Sequence, residues 1–188
     1  MKKLLYILLF VPLALFGQEN NLYHIPDTNF LYCLQENYPA LIINDSLDID
    51  EANLTTGLEL YCNSFNNFDG IQYFVNLNSL YIQFDNDYET GLDNFSNIDI
   101  SSLNNLEDLW IWEANISELS LPNPSNLIGI EIVGSNLPDS IGIINHPNLS
   151  AFSLLINGGI KRLVLSELPN LNNFEIIENS TLNSLSLS

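Results

Sequence analysis

An Asn-Leu pair recurs along this chain at Asn76-Leu77, Asn105-Leu106, Asn126-Leu127, Asn148-Leu149 and Asn170-Leu171. Successive copies are 29, 21, 22 and 22 residues apart. Three residues after each Leu comes an apolar residue, and two later another: Leu80/Ile82, Leu109/Ile111, Ile130/Ile132, Phe152/Leu154 and Phe174/Ile176. A second alternating pair accompanies them at Ile98/Ile100, Leu119/Leu121, Ile141/Ile143, Leu163/Leu165 and Leu185/Leu187. Alternation with period two means a strand with one face turned inward. Two such strands per 22 residues mean a coil with two flattened sides. One coil cannot bury its apolar face alone, so neighbours must stack and share a core. The expected fold is therefore mostly β, a solenoid with parallel strands on both sides of each coil. The 29-residue step reads as a regular coil carrying about seven extra residues near Asp85–Asp93. The repeated Asn is expected at a corner, its amide bonding backbone groups there and in the next coil and so satisfying buried polar atoms.

Composition narrows function. The 188 residues hold 4 Lys+Arg against 23 Asp+Glu, a net charge of −19. So acidic a chain lacks the basic surface that nucleic acid requires. At 46% apolar residues it is also too hydrophobic for a disordered acidic tail. Met1–Lys3 followed by the apolar run Leu4–Phe16 reads as a secretory signal, with cleavage near Gly17. That run is too short to span a bilayer, which takes about 20 apolar residues. Without residues 1–17, Lys161 and Arg162 face 23 acids, a net charge of −21. The division expected is a signal over 1–17, a cap with one helix over 18–53, and about six coils over 54–188.

These motifs resemble leucine-rich repeats. Asn-Leu-x-x-Leu-x-Ile is similar to their core, and the second half-repeat is similar to the 21- or 22-residue bacterial variety with two strands per coil. Ile25-Pro26-Asp27-Thr28-Asn29-Phe30, with Leu31 and Leu34, resembles the helical cap of secreted leucine-rich repeat proteins of Bacteroidetes type. Gly70-Ile71-Gln72-Tyr73-Phe74-Val75-Asn76-Leu77 resembles their first-repeat signature. The resemblance covers about residues 22–188 and implies a secreted or surface-displayed interaction protein. Such proteins often end in a sorting domain; this chain runs to Leu185-Ser186-Leu187-Ser188 inside a repeat, so a C-terminal cap is expected to be missing. Edge-to-edge association through that last coil is an open expectation, opposed by the charge.

In the cap, Asp27 or Thr28 can start a helix running to about Asn37, with Phe30, Leu31 and Leu34 on one face and Pro39 ending it. Cys33 falls on that helix and Cys62 on the first strand. Export permits a disulfide, but two buried small hydrophobes is the preferred reading.

Signs of catalysis are lacking. His24 and His146 have no Ser or Cys beside them in a nucleophile motif, Gly158-Gly159 is a turn, and a solenoid face offers carboxylates no cleft. No enzyme, cofactor or metal is expected. Two acidic clusters, Asp45/Asp48/Asp50/Glu51 and Asp85/Asp87/Glu89/Asp93, read as solvated loops without calcium geometry.

The surface feature that stands out is aromatic. On the first strand of each coil, one outward column reads Tyr81, Trp110, Glu131, Ser153, Glu175, and the next reads Gln83, Trp112, Val133, Leu155, Ile177. Exposed Trp and Tyr beside aliphatics favour contact with a partner. The competing reading is a ladder covered by the insertion through Phe84 and Tyr88. The opposite side is smaller and more polar: Asp99, Ser120, Gly142, Val164 and Ser186. Lys161 should pair with Asp139, its coil neighbour. The binding residues expected are Tyr81, Trp110, Trp112, Glu131, Val133 and Leu155. The partner expected is a protein or glycan at the cell surface. A glycan-binding module, or a segment of a larger adhesin, stands as the alternative.

Overall fold

A computed structural model describes residues 21–62, 65–84, 96–123 and 125–188. The chain opens with strand β1 (Leu22–Tyr23), helix α1 (Thr28–Asn37) and a 3-10 turn at Pro39–Leu41. Strands β2 (Ile42–Ile43) and β3 (Ser46–Asp48) follow, then helix α2 (Ile49–Leu54). Thereafter every element is a strand apart from a 3-10 turn at Ile71–Tyr73: β4 (Gly57–Cys62), β5 (Ser79–Phe84), β6 (Ser96–Asp99), β7 (Asp108–Trp112), β8 (Ile116–Ser120), β9 (Gly129–Val133), β10 (Ser140–Ile144), β11 (Ala151–Leu155), β12 (Arg162–Ser166), β13 (Asn173–Ile177) and β14 (Ser184–Leu187).

The strands stack as a parallel two-sided solenoid. One side is a continuous six-stranded sheet in the order β13-β11-β9-β7-β5-β4. The other side consists of two sheets, β6-β8 and β10-β12-β14. Pro122 and Pro138 lie between β8 and β10 in sequence, and proline cannot donate to a ladder. The inward pairs line one core: Leu80, Ile82, Leu109, Ile111, Ile132, Phe152 and Leu154 have no exposed surface. Phe152 stacks on Phe174 at 6.3 Å between ring centres. In the last coil described, Phe174, Leu185 and Leu187 occupy the same positions at 38, 45 and 63% exposure.

The N-terminal end is closed by α1. Asp27 is its N-cap, one carboxylate oxygen accepting from the Asn29 and Phe30 amides. The other oxygen accepts from the Asn66 and Asn67 amides, which ties the helix start to the first coil. Phe30, Leu31, Cys33 and Leu34 form the buried face. At the far end, Tyr38 Oη accepts from the Glu59 amide, and Asn37 Nδ2 donates to the Tyr61 carbonyl. Backbone groups on the free edge of β4 are thus satisfied by side chains, which blocks pairing with another strand.

Three details depart from the sequence reading. Cys33 and Cys62 are joined in a disulfide, not left as two small hydrophobes; their Cα atoms are 5.2 Å apart where the helix lies on β4. The 42–54 region is structured rather than a loop. β1, β3 and β2 make an antiparallel sheet, Asn44 and Asp45 supply the two positive-φ residues of its turn, and Asp48 caps α2 by accepting from the Asp50 and Glu51 amides. Asp50 and Glu51 sit in the first turn of α2, where negative charge suits the helix dipole. Finally, Phe84 points into the core at 2% exposure, against Phe65, so it does not cover the outer face. Tyr88, the 85–93 insertion and its acidic cluster, and the expected signal at 1–17 lie outside the described residues.

Candidate functional site: the outer face of the six-stranded sheet

Register assembles this face. Successive pairings align Glu59, Tyr81, Trp110, Glu131, Ser153 and Glu175 in one outward column. The neighbouring column is Tyr61, Gln83, Trp112, Val133, Leu155 and Ile177. The six residues picked from sequence all lie on this face, and all six are half-buried. Trp110 and Trp112 flank the buried Ile111 and share one side of the sheet. The 29-residue step does not disturb them: Tyr81 still pairs with Trp110.

Three of the aromatics, Tyr61, Tyr81 and Trp112, form a connected group. Tyr81 lies 5.6 Å from Tyr61 at a 50° tilt, and 5.6 Å from Trp112 at 61°. Their polar tips are used locally. Tyr81 Oη donates to Gln83 Oε1 at 2.8 Å, and Trp112 Nε1 donates to Glu131 Oε1 at 3.1 Å. Burial raises the Tyr81 phenol above its ordinary pKa, and Tyr61, Glu113, Glu131 and Glu59 push it the same way. Beside the aromatics, burial and then Glu107 raise the Asp108 carboxyl. Sequence reading missed Tyr61 and Glu59 on this face, because β4 precedes the first Asn-Leu pair.

Two amide ladders hold the columns in register. At one corner the repeated Asn donates backwards: Asn76 Nδ2 to the Asn53 carbonyl, Asn105 to Val75, Asn126 to Asn104 and Asn170 to Pro147, at 2.7 to 3.1 Å. These side chains are exposed and reach the preceding coil, whereas buried atoms and the next coil were expected. The Asn-Leu step turns outward there, so only the Leu enters the core. The buried ladder lies at the other corner, just after the aromatic strands. There the Ala114 amide donates to Ser135 Oγ, Ser135 to Asn157 Oδ1, and Asn157 to Asn179 Oδ1. Asn157 Nδ2 also donates to the Ile132 carbonyl, and Asn179 Nδ2 to Leu154. The residue before each rung, Glu113, Gly134, Ile156 or Glu178, has φ between 54° and 61°.

Stacking also brings Ser125, one coil away in sequence, beside His146. Ser125 Oγ and His146 Nδ1 share a short hydrogen bond. Twenty-one residues separate them in sequence, about one coil. Both are buried, and burial lowers the imidazole pKa. His24 is exposed in the cap. Among the described residues, no group of three His, Cys, Asp or Glu gathers to hold a metal. Nor is any helix among them long and apolar enough to cross a membrane. The second side places Asp99, Gly142 and Ser186 outward as expected, and Lys161 Nζ meets Asp139 at 2.8 Å. That exposed ion pair contributes under about 1 kcal/mol.

The class these features define is a two-sided parallel-strand repeat protein with an aromatic and acidic outer face. No protein-family model matches the sequence, and no curated protein sequence matches it.

Proposed function

We propose that this is a leucine-rich repeat protein of the secreted bacterial, Bacteroidetes-like kind, exported or displayed at the cell surface, that binds a macromolecular partner through the outer face of its six-stranded sheet. The observation that carries the reading is the half-buried group of Tyr81, Trp110 and Trp112, continued along the sheet by Val133 and Leu155. Large rings with polar tips on the outer face of a sheet are the residues that anchor interfaces. The Cys33–Cys62 bond supports export, since disulfides persist in oxidising compartments. Binding by shape and apolar contact needs no catalytic group, and none is assigned.

Tagged protein incubated with cell-surface material tests this. Wild type retains a partner, whereas Trp110→Ala/Trp112→Ala loses it while keeping the wild-type circular dichroism spectrum. Equal retention by the double variant defeats the reading. A glycan array run in parallel separates a sugar ligand from a protein one.

A further inference from the structure

The outer face of the six-stranded sheet has a charge pattern as well as an aromatic one. Its strands carry Glu59, Asp108, Glu131 and Glu175 and no basic residue. The basic side chains of the described residues, Lys161 and Arg162, lie at the start of β12 on the other side of the coil. Tyr61, Tyr81 and Trp112 form a zigzag stripe over three strands, Tyr61 and Trp112 in one column and Tyr81 in the other, each ring tilted to the next. Glu59 aligns with Tyr81 on one flank, and Glu131 is pinned to Trp112 on the other. The Tyr81 hydroxyl and the Trp112 indole donate inside the group, which holds its rings beside the Glu59 and Glu131 carboxylates. Ring faces attract cations, and carboxylates accept charge-assisted hydrogen bonds. A planar guanidinium satisfies both, stacking on a ring while its fork meets a carboxylate, better than a compact ammonium does.

The stripe does not stand alone. Past Trp112 the same column becomes Val133, Leu155 and Ile177, which is aliphatic. Six strands at about 4.8 Å span roughly 24 Å, a distance that about seven residues of extended chain cover. We infer that the Tyr61–Tyr81–Trp112 group with Glu59 and Glu131 is a guanidinium receptor, and that the face takes a short extended segment of a basic protein, arginine over the rings and aliphatic side chains over Val133, Leu155 and Ile177. This rests on the partner-contact reading above and gives that partner its chemistry.

The test uses an end-capped eight-residue peptide with two arginines at one end and leucine and isoleucine at the other, titrated against intrinsic tryptophan fluorescence. Saturable binding is expected. It weakens roughly tenfold when citrulline, uncharged but of the same shape, replaces both arginines. Glu131→Gln weakens the arginine peptide to a similar degree and leaves the citrulline peptide unaffected. Trp112→Ala weakens both, and the thermal midpoint of each variant verifies that it is folded. Equal affinity for the two peptides, or no binding of either, overturns the inference. In that event, surface retention that is still lost in Trp110→Ala/Trp112→Ala leaves the partner-contact reading standing. Loss of both results removes the two together.

Discussion

The two corners of the coil do the same job with opposite materials. At one, an exposed asparagine of constant identity reaches back to the preceding coil: Asn76, Asn105, Asn126 and Asn170. At the other, a buried ladder passes through Ala114, Ser135, Asn157 and Asn179, whose identities change from rung to rung. An exposed amide exchanges water for protein at little net gain. A buried one satisfies groups that would otherwise have no partner, so its loss costs far more. The corner with the conserved-looking letter is therefore the weaker one, and the buried corner beside the aromatic strands fixes the sheet.

That contrast can be broken most sharply at Asn157. Asn157→Ala takes away the acceptor of the Ser135 amide and a donor to the Ile132 carbonyl, both in the interior. The expected loss is roughly 2–4 kcal/mol, read as a lower denaturant midpoint at unchanged slope. A loss below that of an exposed rung would reverse the ranking of the corners. Next comes Ile156, a β-branched residue held at φ 57° just before that rung and 58% exposed. Gly134 takes the same conformation without a side chain. Ile156→Gly should stabilise by about 1 kcal/mol, because left-handed backbone costs a β-branched residue more than its exposed side chain gains; a lower melting midpoint would show that the side chain packs usefully. Asn126→Ala, at the exposed corner, should cost only about 0.5 kcal/mol, within a degree or two of wild type on thermal melting.

The finest difference lies in pH dependence. Buried, His146 binds its proton less readily than it does in the unfolded chain, where its ordinary value is 6.5. The unfolded state then takes up more protons as pH falls below about 6.5, and stability declines in that range. Ser125→Ala/His146→Leu removes the imidazole together with its hydroxyl partner. Between pH 7 and pH 5 its melting midpoint should fall less than that of wild type. Parallel curves would mean that His146 carries none of the acid sensitivity.

Much of this architecture is legible in sequence because it is written in repeats. The inward pairs recur with constant character, so the strands, their side and their pairing follow, and with them the outward placement of Trp110 and Trp112. The buried ladder carries no sequence signal, because its rungs share a position without sharing a residue type. In the cap, β1 and β2 have two residues each and α2 has six, too few for periodicity to declare them. Whether Cys33 meets Cys62 depends on how α1 lies across β4, a tertiary fact with no local signal. Tyr61 and Glu59 joined the aromatic face through pairing with β5, not through any motif of their own.

Strand register is preserved across steps of very different length. Tyr81 and Trp110 are partners 29 residues apart, Trp110 and Glu131 at 21, and Glu131 and Ser153 at 22. Added or deleted residues are absorbed between the ribbons, while the ribbons themselves inherit their alignment from the winding before. Such a chain can gain or lose surface segments one turn at a time without redrawing the surface it offers on either flank.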